Sequence, residues 1–219
     1  TVYNAVFAVA QFWDGRAKDL EEQAGGPLVN PLEMDTTEAH VIEQLEGIPG
    51  YLPVFAAAFP GEGKPITFAN VRKAIAVFEA TLITPNAPFD AFLKGDEKAL
   101  DAGQAAGLAL FINKGCVACH NGINVGAHMY APFGVVERPG GDVLPIGDKG
   151  RFEVTKTASD EYVFKAPSLR NVAITAPYFH AGKVWDLRQA IAMNLALQRL
   201  IELGYQRLES ATQRVATAL

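Results

Sequence analysis

The stretch Lys114-Gly-Cys-Val-Ala-Cys-His120 constrains this chain more than any other. It holds the only two cysteines of the 219 residues, three positions apart, with a histidine directly after the second. The apolar helical pattern upstream ends at Lys114 and Gly115, a cation followed by a glycine stop, so the motif directly follows a predicted helix. Such a motif has four interpretations: a haem c attachment site, a redox dithiol, half of a zinc site, or chance.

The spacing of the cysteine motif favours haem c. C-x-x-C-H brings two thiols for the porphyrin and an imidazole for the iron into one turn. A redox dithiol expects a strand–helix–strand context, whereas here a helix leads in and an irregular loop leads out. Zinc needs two further Cys or His ligands at short spacing, and only His128 is near. We therefore expect Cys116 and Cys119 to bind haem and His120 to bind iron. Covalent haem is attached on the export side of a membrane, so the motif also predicts a periplasmic protein.

The second axial ligand decides between electron transfer and catalysis, because ligand identity sets the potential of the haem. The chain has three methionines, at positions 34, 129 and 193. Met193 lies well downstream in a helical pattern, where small c-type cytochromes usually supply this ligand. Filling of a hydrophobic core is the alternative role of Met193.

Composition excludes several classes of function. The chain is 49% hydrophobic and 20% charged, as in an ordinary globular protein. Its formal charge of −5 and the absence of a basic block give no support for nucleic-acid binding. No apolar run approaches the roughly 18–20 residues of a membrane span. The chain opens with Thr1 and shows no signal peptide, so we expect a processed chain or a fragment.

Helical periodicity predicts a mainly α protein. Thr36 and Thr37 can cap a helix over 38–45, and a stronger apolar stripe follows Thr67. A second strong helix is predicted over 98–113, and helical periodicity returns at about Leu187. The stretch "TPNAPFD" interrupts the pattern and is the best candidate for a domain boundary. Residues 121–168 form a long loop region rich in glycine and proline, with no convincing sheet.

Five longer strings follow one another along the chain: "TVYNAVFAVAQFWDGRAKDLEEQAGGPLVNPLEM", "GCVACHNGINVG", "PFGVVERPG", "DKGRFEVTKTASDEYVFKAPSLRN" and "TAPYFHAGKVWDL". Together they resemble the bacterial di-haem cytochrome c peroxidases, in order, from Thr1 to about Met193. The resemblance implies two cytochrome c-like haem domains, the first of them incomplete. Residues 1–88 would be the remainder of the N-terminal peroxidatic haem domain, whose own C-x-x-C-H would precede Thr1. Residues 89–219 would be the C-terminal electron-transfer domain.

The resemblance also implies an activity: reduction of hydrogen peroxide to water with electrons from a small cytochrome c or cupredoxin. His120 would hold the high-potential, electron-entry haem. Trp13 matches a tryptophan between the two haems, and Gln23 and Glu33 match the polar pair of the active-site loop. A carboxylate beside an open iron position can act there as general acid and base. Without the resemblance, Trp13 reads as a buried aromatic and Glu33 as a solvated loop carboxylate.

Further sites follow from the same resemblance. Thr175 and Pro177 match positions whose backbone carbonyls bind a calcium ion between the domains, and carbonyl oxygens suit that cation. The asparagine ligand of that site would lie before Thr1. His180 would either hold a haem propionate or satisfy a core hydrogen bond. His40 and His128 are expected at the surface, and the family tends to form homodimers.

Two departures from the family leave alternatives open. The family's methionine ligand aligns with Asn194, so either Met193 serves after a small shift or the ligand is lost. The amphipathic tail after residue 193 does not resemble the family and is either divergent or frame-shifted. The alternative functions are an electron-transfer-only cytochrome c and a di-haem enzyme that oxidises a partner protein, like the quinone-cofactor maturation enzymes. The quinone-cofactor maturation enzymes use a tyrosine at the second haem iron. The presence of Met193 therefore argues against this alternative function.

Overall fold

The computed structural model describes residues 2–134, 140, 143–145 and 147–193. The described chain is mainly helical, which confirms the predicted class. It divides into two compact units, Thr1–Pro85 and Asn86–Leu219, and this division falls within the helix-breaking stretch "TPNAPFD". The assignment of the units as peroxidatic and electron-transfer haem domains stays a prediction.

The N-terminal unit consists of helices joined by short turns. A 3-10 turn at Ala5–Phe7 precedes the first α-helix. The α-helices are α1 (Leu20–Val29), α2 (Glu38–Glu46), α3 (Tyr51–Ala58) and α4 (Phe68–Thr81).

The C-terminal unit combines short helices, 3-10 turns and one small sheet. Its helices are α5 (Pro88–Leu93), α6 (Ala102–Asn113) and α7 (Phe152–Thr155), and its strands are β1 (Tyr130–Pro132) and β2 (Val163–Lys165). The 3-10 turns are Cys116–Ala118, Ala158–Asp160 and Val172–Ile174. Residues 187–193 are helical, as the periodicity predicts, and the amphipathic tail lies outside the described residues.

Helices α2 and α4 begin where the sequence places their caps. The Thr37 hydroxyl accepts a hydrogen bond from the His40 backbone N–H at 3.1 Å. The Thr67 hydroxyl accepts one from the Asn70 N–H, also at 3.1 Å. Each hydroxyl satisfies an N–H group that the first turn of the helix leaves without an intrahelical partner.

Helix α6 begins later than predicted, at Ala102 rather than near Lys98. A capping box fixes its start: the Asp101 carboxylate accepts from the Gln104 N–H at 2.8 Å, and the Gln104 amide oxygen accepts from the Asp101 N–H at 3.0 Å. The two side chains satisfy each other's backbone donors, which sets the first turn.

Close packing of α1 on α4 organises the N-terminal unit. A Cβ atom at Gly25 of α1 would lie 2.9 Å from the Arg72 side chain and 3.3 Å from the Phe68 ring, so glycine permits the approach. The Arg72 Nε also donates to the Glu21 carbonyl at 2.9 Å. A small apolar core lies beyond this contact, centred on Phe55, Ile66 and Val71.

The prediction of no convincing sheet is wrong for the C-terminal unit. Strands β1 and β2 pair antiparallel, with Tyr130 opposite Lys165 and Pro132 opposite Val163. Each strand has only three residues, too few to show an alternating pattern, and a proline ends the first.

Helices of the described chain are too short or too polar to cross a lipid bilayer.

Candidate haem c site and active-site loop

The cysteine motif forms one closed turn at the end of α6. Gly115 has a φ of 76°, a left-handed conformation that glycine adopts at little cost, and it redirects the chain into the 3-10 turn Cys116–Ala118. The N–H groups of Cys119 and His120 both donate to the Cys116 carbonyl, at 3.2 and 3.0 Å. Both cysteines are half-buried free thiols. Two thiols and an imidazole therefore share one short turn.

The His120 ring lies in an environment that favours its neutral form. Burial lowers the pKa of the ring, and the nearby charge of His128 lowers it slightly further. The backbone carbonyls of Val125 and Pro167 act in the opposite sense, because their dipoles favour a positive charge on the ring. Nδ1 is buried and has no hydrogen-bond partner among the described residues. A histidine must be neutral to bind a metal, so burial prepares His120 for that role.

Gly126 lies between the His120 ring and the segment opposite it. Its φ of 127° falls in the range that favours glycine. A Cβ atom here would overlap the Pro167 carbonyl oxygen and lie 3.1 Å from His120 Nδ1. The lack of a side chain thus allows two stretches of backbone to meet beside the histidine.

The segment after the motif is hydrogen-bonded to residues 166–169. The Ala127 N–H donates to the Ala166 carbonyl at 2.7 Å, and the Leu169 N–H donates to the Val125 carbonyl at 3.1 Å. The Ser168 hydroxyl lies 2.7 Å from the backbone carbonyl oxygen of the buried Asn124, to which it is hydrogen-bonded. Through these bonds, residues 124–127 and 166–169 form a double layer of backbone behind His120.

Arg170 joins this double layer to α5, and the sequence analysis missed its role. Its guanidinium donates to both oxygens of Asp90, with Nη1–Oδ2 at 3.1 Å and Nη2–Oδ1 at 2.8 Å. Its Nε donates to the Ile123 carbonyl at 2.6 Å. The side chains are only 13% and 15% exposed. Arg170 and Asp90 are 80 positions apart, so no local pattern reveals the pair.

The ion pair of Asp90 and Arg170 makes the folding stability of the protein depend on pH. The hydrogen bond from Arg170 holds the pKa of Asp90 below its ordinary value, although burial opposes this. A lowered folded-state pKa means that the stabilisation is complete above the unfolded pKa of about 3.9 and is lost as pH falls through the folded value.

We expect Asp90→Asn to reduce the free energy of unfolding by about 1–3 kcal/mol near neutral pH. The difference from the parent should shrink in strong acid. Urea unfolding across pH checks this, and a pH-independent difference would contradict it.

The arrangement fits a covalently attached haem c. The two free thiols and an imidazole whose pKa is lowered by burial are the groups that attachment and iron ligation require. The zinc interpretation lacks further ligands, since no group of three or more His, Cys, Asp or Glu side chains comes together within the part of the chain that the structure describes.

The residues expected in the active-site loop lie in the N-terminal unit. Glu33 is exposed in the turn after α1, where its carboxylate accepts a hydrogen bond from the Asn30 side-chain amide at 2.7 Å. It lines an open cavity of about 210 Å³. Gln23 is half-buried in α1, and Trp13 is half-buried in a loop closed by the bond from the Gln11 N–H to the Ala17 carbonyl. Gln23 and Trp13 are not among the residues that line this cavity.

Arg16 lines the same cavity as Glu33, and the sequence analysis did not single it out. Its guanidinium lies 3.5 Å from the centroid of the Phe12 ring and forms an ion pair with Asp14 at 3.1 Å. In the local sequence, only the Asp-Gly dipeptide of "FWDGR" indicates the turn that brings Arg16 close to Phe12 and Asp14.

The remaining expected ligands lie in the C-terminal unit. Met193 is half-buried at the end of the described helical segment 187–193. Thr175 is half-buried and Pro177 exposed, in a loop braced by the bond from the Tyr178 hydroxyl to the Val172 carbonyl at 2.9 Å. Iron ligation by Met193 and calcium binding by Thr175 and Pro177 stay predictions.

The other histidines are partly explained by their contacts. His40 is exposed and lies 3.3 Å from the Glu43 carboxylate, and His128 is exposed, which confirms that both are surface residues. His180 Nε2 lies 2.5 Å from the Asp148 carboxylate, and its ring packs 4.6 Å from Phe164. Of the two roles expected for His180, the hydrogen bond is therefore present.

Comparisons with known proteins agree with this geometry. Residues 1–98 match the model of a family described as di-haem cytochrome c peroxidase. The chain is 61% identical over 193 residues to cytochrome c551 peroxidase of Pseudomonas aeruginosa, covering 88% of this chain and 56% of that protein. It is 45% identical over 203 residues to cytochrome c peroxidase Ccp of Escherichia coli, covering 90% and 42%. A solved structure of a MauG-like protein associated with microbial copper homeostasis superposes with a TM-score of 0.76 at 28% identity, covering 88% of this chain and 60% of that one.

The chain belongs to the di-haem cytochrome c peroxidase family. It spans about half the length of the relatives it matches.

Proposed function

We propose that this chain supplies the electron-entry haem c and the active-site loop of a peroxidase that reduces hydrogen peroxide. The reaction consumes two electrons and two protons and yields two water molecules. A small cytochrome c or cupredoxin supplies the electrons. The observation that carries the proposal is the 61% identity to a cytochrome c551 peroxidase. An alignment of 193 residues in a chain of 219 includes both Glu33 and the cysteine motif.

Cys116, Cys119 and His120 hold the haem c in this proposal. When bound, the haem supplies one-electron redox chemistry of iron. The turn at Cys116–Ala118 presents the two thiols for attachment, and the burial of His120, which lowers its pKa, favours the neutral ring that ligation requires. Met193 is the proposed second ligand. The reduced-state spectrum of the haem checks this, because sulfur and nitrogen ligands give different bands.

Glu33 moves the proton that peroxide cleavage requires. Its carboxylate takes a proton from the near oxygen of the peroxide and returns it to the leaving oxygen, which departs as water. The Asn30 amide restrains this carboxylate through one of its oxygens. Gln23 donates a hydrogen bond to the bound peroxide, and Trp13 lies on the electron path.

The remaining parts of the proposal concern the setting of the enzyme. We propose a periplasmic location, because haem c is attached on the export side of the membrane. A calcium ion bound by the carbonyls of Thr175 and Pro177 and a homodimeric assembly complete the proposal. Calcium removal by a chelator, followed by assays of activity and mass, checks both.

The proposal is tested on the full-length protein that contains this chain. We expect the peptide containing Cys116 and Cys119 to carry one covalent haem by mass spectrometry, and peroxide to drive oxidation of a reduced small cytochrome c. Changing both cysteines to serine should remove that haem and the turnover. A protein that carries the haem at this peptide yet shows no peroxide-dependent oxidation would overturn the peroxidase assignment.

Two other functions have a specific observation in their favour. The single C-x-x-C-H within this chain fits an electron carrier, which would exchange electrons with the donor but leave peroxide unchanged. The likeness to a MauG-like structure favours an enzyme that oxidises a partner protein. Such an enzyme would consume peroxide only slowly with a cytochrome donor and would modify its protein substrate.

A further inference from the structure

We propose that Arg170, anchored by Asp90, is a positioning residue for His120 and acts through the backbone turn at Ile123. The proposal deepens the haem c site of the proposed function and rests on haem attachment there. It does not depend on peroxide turnover.

The first step is the rigidity of the pair. A guanidinium that meets a carboxylate through two parallel hydrogen bonds is fixed in direction as well as in distance. Asp90 is itself fixed, because its Oδ2 also accepts the Ala87 N–H at 3.0 Å at the start of α5. Both side chains of the pair are mostly buried, so solvent screens their attraction little. Arg170 is therefore anchored to α5.

The second step is the bond from this anchored group to the turn after the motif. Arg170 Nε donates to the Ile123 carbonyl at 2.6 Å, and this carbonyl belongs to the turn that follows His120 directly. Ile123 is 63% exposed, so apolar packing does little to fix this position. The guanidinium instead holds the turn by its backbone.

The third step leads from the turn to the imidazole. Gly126 leaves no free space between the Pro167 carbonyl and His120 Nδ1. A shift of the turn therefore changes how the Pro167 carbonyl oxygen lies relative to Nδ1 of the ring. A carbonyl oxygen on this side of an iron-bound imidazole favours positive charge on the iron centre, and so favours its oxidised state. Loss of the Arg170 bonds should weaken this effect and raise the reduction potential of the His120 haem.

The test uses the haem-loaded full-length protein with Arg170→Lys, Asp90→Asn and the double variant. Lysine keeps the charge of Arg170 but lacks the planar guanidinium that forms two parallel hydrogen bonds to a carboxylate. Asparagine keeps the shape of Asp90 but not its charge. We expect both single variants to raise the reduction potential of this haem and to alter its low-spin ferric EPR signal, which reports the setting of the axial imidazole. The double variant should match Arg170→Lys alone, because Asp90 acts through Arg170.

Arg151→Lys is the matched control. Arg151 lies in the same unit with its guanidinium 3.9 Å from the centroid of the Tyr130 ring, so the same substitution is made at an arginine that contacts an aromatic ring. We expect its potential and EPR signal to equal those of the parent.

Unfolding measurements separate positioning from a structural role. Variants that are less stable to urea but keep the parental potential and EPR signal would overturn the proposal. If Arg170→Lys fails to take up haem, the isosteric Asp90→Asn decides by the same two readouts. Absence of peroxide turnover in a haem-loaded parent would overturn the proposed function and leave this inference standing.

Discussion

Replacing Glu33 by glutamine in the full-length protein should reduce kcat for peroxide reduction by about 10²–10⁴-fold, the usual contribution of a general acid and base. Glutamine keeps the size of the side chain, and its amide oxygen can still accept the bond from Asn30. It cannot take up and return a proton near neutral pH. The loss should therefore appear in kcat, while the spectrum and reduction potential of the His120 haem stay parental. Steady-state oxidation of a reduced cytochrome c at varied peroxide concentration measures the effect.

Glu43→Gln is the control for this experiment. Glu43 is an exposed carboxylate of α2 in the same unit, and its partner is His40. The substitution makes the same change of charge away from the proposed chemistry, so turnover should stay near that of the parent. Equal turnover in the parent and Glu33→Gln would remove Glu33 from the mechanism, even if the enzyme remains a peroxidase.

The elements that could be predicted from the sequence are those fixed by neighbouring residues. The caps at Thr37 and Thr67 bond to N–H groups three positions ahead, so a short window contains both partners. Helix α6 starts after the position near Lys98 that the apolar pattern predicts, because the capping box of Asp101 and Gln104 fixes its first turn at Ala102. The pairing of β1 with β2 joins distant segments, and strands this short carry no pattern of their own.

The same distinction explains how much of the candidate site was foreseen. The C-x-x-C-H turn is contiguous and was read directly. The Arg170–Asp90 pair and the contact of Gly126 with Pro167 arise only on folding, and a single sequence contains no sign of either. Glu33 was singled out by resemblance to the family, since its exposed position is what any loop glutamate would adopt.

Gly126→Ala should have the largest effect on stability of any single change near the haem c site. The φ of 127° is strained for alanine, which costs roughly 1–3 kcal/mol. The added Cβ would also overlap the Pro167 carbonyl oxygen, and such overpacking costs about 1–3 kcal/mol more. Because the obstacle is backbone held by the bond from Ala127 to Ala166, it cannot move aside as a flexible side chain would. Urea unfolding and the yield of covalent haem measure the loss.

Gly122→Ala separates the two causes, because Gly122 also has a positive φ, of 73°, but a Cβ there would meet nothing within 4 Å. Its cost should be limited to the backbone strain, roughly 1–2 kcal/mol for alanine in a left-handed conformation. The excess loss in Gly126→Ala then measures the contact between the two backbone layers behind His120. If the two variants are equally stable, or if Gly126→Ala takes up haem as well as the parent, the layers are not in tight contact, and His120 is held by its own turn alone.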